Sequence, residues 1–369
     1  MHLTDIVLKE STSQRRAGRE YQHLEDLVYT EGGSPGAYKA VEILKRLSAS
    51  SDGLTVKFDG MPTFYAGRHP TGEFVLVGKN GWGREFIRTP EELEEWIISR
   101  GNNEPWRARF ARTMSNCWRA IEPIFPKDFR GFIYGDLLWY PEKPYVIRSN
   151  RIEFTPNLVT YTVPGNSPLG RMITSSSWGA VCHTVFKNFG DNTGVPVTGT
   201  KEFNTSPNFV FLGQVEISGK ITGIQSKQIT QIENLIKQHT VDMNGFLVQR
   251  TGLSDIAGIL YRYVNYMSKE QKLNQLVTGF WDWLSQSNIS ENKKNRIKDL
   301  NKTYPTAIKG IFTIVSAVME VKNQLIQELD TEHKQSIYSR TGNVPGGEGY
   351  VDSVSKTKLV PRHRWRPQW

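Results

Sequence analysis

The hydrophobic pattern of this chain changes period once, near residue 225, and that change restricts the folds open to it. Across residues 52–224 the apolar residues come in short runs punctuated by Gly, Pro and Asn, with one helix-like stretch at 90–124. Runs of this kind read as strands. From about 225 to 335, Ile, Leu and Val recur every three or four residues and turn formers become scarce, so 228–238, 254–267, 269–285, 290–300 and 306–329 read as about five helices. Ahead of both lies a helical lead-in, residues 1–50: positions 21–29 are amphipathic, Gly32, Gly33, Pro35 and Gly36 interrupt them, and 37–47 resume the helical spacing. A strand-rich stretch followed by helices predicts an α+β core followed by an all-helical block. At 369 residues the chain is long enough for two domains, or for one domain carrying an insertion.

Charge narrows the partners. The formal net charge is +9 and the pI about 9.3, which favours a phosphate-backbone partner. Between residues 340 and 369, six Lys and Arg residues stand against Glu348 and Asp352, and Trp365 and Trp369 sit among Arg362, Arg364 and Arg366. Cations interleaved with aromatics suit a single-stranded or end-bound nucleic acid, because phosphates meet the charges while bases stack on the rings. The alternative is a tail docked on its own domain. No apolar run reaches membrane-spanning length and the N-terminus is polar, so neither a membrane partner nor a signal peptide is expected. Cys117 and Cys182 form no disulfide framework or metal-binding spacing, which favours a reducing, cytoplasmic compartment, the host cytoplasm if the source is viral.

The candidate chemistry lies in LTVKFDGMPTFYAGR, where Lys57, Asp59 and Gly60 make a K-x-D-G signature. A primary amine can attack the α-phosphorus of a nucleoside triphosphate and hold the nucleotide as a phosphoramidate, provided the amine is uncharged when it attacks. Free lysine titrates near ~10.4, so a site of this kind is expected to lower that value. Leu54, Val56 and Phe58 on alternate positions predict an extended segment with Lys57 and Asp59 on its other face. Further matches follow in order: FVLVGKNG ending at Lys79, Asn80 and Gly81; FIYGDLLW with Asp136 in an otherwise apolar strand; NLVTYTVP with Tyr161; and EGYV from Glu348, then Lys356 and Lys358 in KTKLV. A buried acid such as Asp136 needs a partner.

With these elements the chain resembles the covalent nucleotidyltransferase superfamily of ATP-dependent DNA and RNA ligases and mRNA capping enzymes, and is most similar to bacteriophage-type RNA ligases. The resemblance runs from residue 57 to 360. It implies a ligase-type adenylation domain over 51–224 and 336–369, a helical accessory insertion over 225–335, and no C-terminal OB-fold, since nine residues follow Val360. It implies ATP with Mg²⁺ or Mn²⁺, AMP carried on Lys57, and sealing of 5′-phosphate to 3′-hydroxyl ends of a polynucleotide, RNA before DNA. In that scheme Lys57, Asp59, Arg68, Lys79, Asp136, Tyr161, Glu348, Lys356 and Lys358 contact the nucleotide. Tyr161 stacks on the adenine, Asp136 and Glu348 serve the metal, and Lys356 and Lys358, on one face of a strand, neutralise the α-phosphate and lower the pKa of Lys57. Arg362, Arg364, Trp365 and Arg366 contact nucleic acid. The chain departs from the pattern at Pro62, where ligases place an arginine that Arg68 would have to replace, and at Asp136, one methylene shorter than the usual glutamate. A capping-type guanylyltransferase and a non-catalytic nucleic-acid-binding or virion-associated protein are the alternatives.

Overall fold

Short apolar runs become strands and three- to four-residue spacing becomes helices, giving a mixed α+β protein. The computed structural model describes residues 21–101, 104–197, 203, 206, 208–217, 226–248, 256–331 and 337–364. They fall into two units, one containing Thr55–Glu216 and Lys334–Glu348, the other Tyr21–Leu54, Ile217–His333 and Gly349–Trp369.

The first unit holds two sheets. In one, the order is Val195–Pro196, Trp178–Phe186, Gly131–Trp139, Thr63–Arg68 and Phe74–Gly78, with Phe209–Leu212 lying parallel to Trp178–Phe186. Helices Pro90–Ser99 and Pro105–Ile121 supply Leu93, Ile97, Met114, Cys117 and Trp118 to a core shared with Phe64, Ala66, Ile133 and Leu137 of that sheet. Thr89 caps the first of these helices by accepting from the Glu92 amide, and Pro90 follows at its first position. The other sheet runs Val344–Pro345, Tyr338–Thr341, Val159–Pro164, Arg151–Phe154 and Val146–Arg148, antiparallel throughout. A second core joins the two sheets: Leu138, Trp139 and Val181 from the first meet Phe154, Tyr161 and Val163 from the second, with Phe58 among them.

The second unit is mainly helical. Ser34–Ala49 and Ala307–Thr331 both pack on Ser226–Val248, burying Leu44, Ile232, Ile236, Met243, Ile311 and Val315. Gly245 is required by close approach, since a Cβ there would meet the Tyr304 ring. The predicted helix over 269–285 is instead the end of Ile256–Lys269, a 3₁₀ turn at Leu273–Gln275 and a short helix Phe280–Gln286; Gln271, with φ of 57°, breaks the run. A small sheet pairs Gln22–His23 with Thr357–Leu359 and that strand with Tyr350–Asp352. Residues 21–50 of the lead-in and residues 349–364 therefore share a unit with the helical block, where the sequence had suggested a separate lead-in and a C-terminal stretch grouped with 51–224.

A buried ionic network explains that grouping. Lys322, wholly buried, donates to both carboxylate oxygens of Glu25 at 2.8 Å and to the Val360 carbonyl at 2.7 Å. Arg362 reaches Glu25 at 2.7 Å, Asp26 at 2.6 Å and Asn265 at 2.9 Å. Desolvation works against both carboxylates: Lys322 and Arg362 outweigh it at Glu25 and hold that group low, whereas Asp26 stays above its ordinary value. The proposed nucleic-acid role of Arg362 is thereby corrected, because its guanidinium is consumed inside the protein. Arg364 is likewise engaged, pairing with Asp330 at 2.8 Å. Trp365 and Arg366 lie outside the described residues.

Candidate active site

The segment carrying Lys57 is stitched to the first unit on three sides. The Val56 amide donates to the Val215 carbonyl, while Met61 and Pro62 exchange backbone hydrogen bonds with Leu137 at 2.9 Å each. Phe58 is buried in the second core and packs on Tyr161, ring centroids 5.1 Å apart. The Tyr161 hydroxyl accepts from the Asp59 amide at 2.6 Å and donates to the Lys57 carbonyl at 3.5 Å. Lys57 and Asp59 are left half-buried, as the alternating pattern predicts.

Gly60 owes its identity to close approach. A Cβ at this position would lie 2.5 Å from the Asp136 Cβ and 2.7 Å from the Leu137 carbonyl oxygen. Gly60→Ala must therefore displace the lysine loop from Asp136, and it is expected to cost roughly 1–3 kcal/mol of stability in thermal unfolding.

Asp136 is placed by its neighbours on both sides. Thr63, its register partner on the adjacent strand, donates to Oδ1 at 2.7 Å, and His183 Nε2 meets Oδ2 at 2.9 Å. His183 reaches it through a β-bulge: Tyr134 pairs with Thr184 but Gly135 pairs with Cys182, so His183 is the extra residue. Bulges re-aim side chains in this way. His183 is not among the residues picked out from the sequence, because a cross-strand register shift leaves no mark along one strand.

Glu348 completes the cluster by accepting a hydrogen bond from the Lys57 ammonium. Desolvation pulls the Lys57 pKa down, but Glu348 first, then Asp59 and Asp136, more than offset it and hold the amine above its ordinary value. This corrects the expected lowering: an amine facing three carboxylates is stabilised as the cation. Asp59 is pushed up to about 6 by desolvation and by Glu348, against the pull of Lys57 and the Asn157 amide. Since Asp59 binds its proton more tightly folded than unfolded, its ionisation subtracts stability as pH rises from near ~4 to about 6. Asp59→Asn is therefore expected to raise the melting temperature above pH 6, with the gain disappearing below about pH 4, in a series of thermal melts.

A family model described as "Family of unknown function (DUF6267)" matches residues 20–366. The chain belongs to this family. No curated protein and no solved structure matches it.

In this DUF6267 chain, Lys57, Asp59, Asp136 and Glu348 come together from three separate stretches of sequence within one unit. Other expected site residues are placed differently. Tyr161 is fully buried between Phe58 and Phe154, so it braces the lysine loop from below where base stacking was expected. Arg68 pairs in register with Gly131, five residues along from the Thr63–Asp136 pair, and its guanidinium donates to the carbonyls of Phe125, Pro126 and Gly72. It ties down a turn and does not replace the arginine missing at Pro62. Lys79 is exposed just beyond Gly78, which pairs with Phe64 next to Thr63, at the Asp136 end of the sheet. Lys358 lies in strand Thr357–Leu359 of the second unit, but Lys356 is in the preceding turn with φ of 56°, so the two do not share one strand face.

Proposed function

We propose that the first unit is a ligase-type adenylation domain and that the protein is an ATP-dependent polynucleotide ligase acting through a lysyl–AMP intermediate, on RNA before DNA. The observation that carries the reading is the hydrogen bond between Lys57 of the K-x-D-G segment and Glu348 of EGYV, residues 291 positions apart. In the first step the Lys57 nitrogen bonds to the α-phosphorus of ATP, the bond to the β-phosphate oxygen breaks, and pyrophosphate leaves with the electron pair. The ammonium must first lose a proton, and Glu348 is the base in contact with it. AMP then passes to a 5′-phosphate, and a 3′-hydroxyl displaces it.

Among the described residues no three His, Cys, Asp or Glu side chains stand ready to enclose a metal. One or two carboxylates suffice for Mg²⁺ when phosphates and water complete its shell, so Asp136 and Glu348 fit that demand. When bound, the ion offsets negative charge on the phosphates and on these acids.

The raised pKa of Lys57 favours a second reading, a nucleic-acid-binding protein without turnover. Incubation with α-labelled ATP or GTP and Mg²⁺ or Mn²⁺, followed by a denaturing gel, separates the readings. Label from ATP supports the ligase, label from GTP points to capping chemistry, and no label under any condition supports the binding protein.

A further inference from the structure

One face of the first unit's six-stranded sheet carries a row of rings leading away from Asp136. Thr63 and Tyr65 alternate on one strand, Tyr134 and Asp136 on the next, so all four share a face. Tyr65 stacks on Trp82 with centroids 4.3 Å apart and planes at 14°; Tyr65 and Tyr134, cross-strand partners, stand 5.0 Å apart; and Tyr134 lies 5.3 Å from the His183 ring. His183 then meets Asp136. All four rings are half-buried, whereas Phe64, Ala66 and Ile133 on the opposite face are sealed in the core.

Positive charge flanks the far end of the row. Trp82 donates to the Asp191 carbonyl at 3.1 Å, and Gly83 abuts Gly190, so the loops after Gly78 and after Phe186 meet there. Exposed Arg84 and Lys187 sit on these two loops. The acids beside them are already engaged: Glu85 pairs with Arg100, and the Asp191 carboxylate accepts from the Asn188 amide. Aromatic side chains next to cations are the recurring solution for binding a single strand, with bases on the rings and phosphates on the charges.

We infer that the sheet face bearing Trp82, Tyr65, Tyr134 and His183, flanked by Arg84 and Lys187, binds a single-stranded RNA end and directs its terminus toward Asp136. This assignment of a substrate path rests on the proposed ligase reading. It also gives base stacking to half-buried rings, a task the buried Tyr161 cannot perform.

The test is fluorescence anisotropy with a labelled single-stranded RNA oligonucleotide over a range of salt, using wild-type protein and an Arg84→Ala/Lys187→Ala variant, both changes at exposed positions. The variant is expected to bind roughly tenfold more weakly and to show a salt slope shallower by about 1.4, since each phosphate contact on a single strand contributes about 0.7. RNA containing 4-thiouridine should photocrosslink to peptides containing Trp82 or Tyr134. Unchanged affinity and slope, crosslinks confined to other peptides, or equal binding of single-stranded DNA would overturn the inference. Failure of the ligase reading registers separately, as absence of label from ATP while RNA binding and its loss in the variant persist.

Discussion

Lys322→Met is expected to destabilise the protein by about 3–5 kcal/mol in urea unfolding, the cost of leaving a buried charge without its partner. Lys322, Glu25, Asp26 and Arg362 carry two charges of each sign in a region closed to water. Removing one cation leaves Glu25 and Asp26 to share Arg362 and leaves the Val360 carbonyl without its donor. Lys322 is wholly buried, and desolvation holds its pKa below the ordinary lysine value against the pull of Glu25. Pairing the change with Glu25→Leu should recover a large part of the loss, because exchanging a whole buried ion pair for apolar groups is often close to neutral. A double variant no more stable than Lys322→Met would show that the loss does not come from leaving Glu25 short of a cation.

Lys57→Arg is expected to abolish covalent nucleotide formation, at least a thousandfold below wild type in gel labelling, while the melting temperature changes by only a few degrees. Arginine keeps the positive charge facing Glu348, so the electrostatics of the loop are largely preserved. It has no amine that can be deprotonated in a protein, so the N–P bond cannot form. Because Glu348 keeps Lys57 protonated, the labelling rate of the wild type should climb with pH through the neutral range. The sign for stability runs the other way. The pKa of Lys57 is raised on folding, so the ion pair stabilises fully at neutral pH, and that contribution is lost only as pH climbs through the raised value.

What was legible in the sequence and what was not divide along physical lines. Strands around Phe74, Phe132 and Val159 and helices after 225 could be read because each period reports which side of an element meets the core. Lys57, Asp59, Asp136 and Glu348 could be picked out as residue types because reactive groups in short fixed patterns stand out locally. Roles that depend on tertiary neighbours could not. Tyr161 sits in a strand pattern that suits either an exposed platform or a core ring, and only the packing of Phe58 and Phe154 decides for the core. Arg362 reads as part of a basic tail until Glu25 and Asp26, more than three hundred residues earlier, are brought against it. The Lys57 pKa depends on Asp59 beside it together with Asp136 and Glu348 from distant segments, and no local pattern carries that sum.

Peptide mapping shows directly whether Lys57 carries the nucleotide. Protein incubated with ATP and Mg²⁺ is digested under conditions that preserve phosphoramidates, and the peptides are sequenced by tandem mass spectrometry. One AMP is expected on the peptide LTVKFDG, localised to Lys57 and released by added pyrophosphate. Absence of any adduct, or an adduct on a different lysine with Lys57 unmodified, would contradict it.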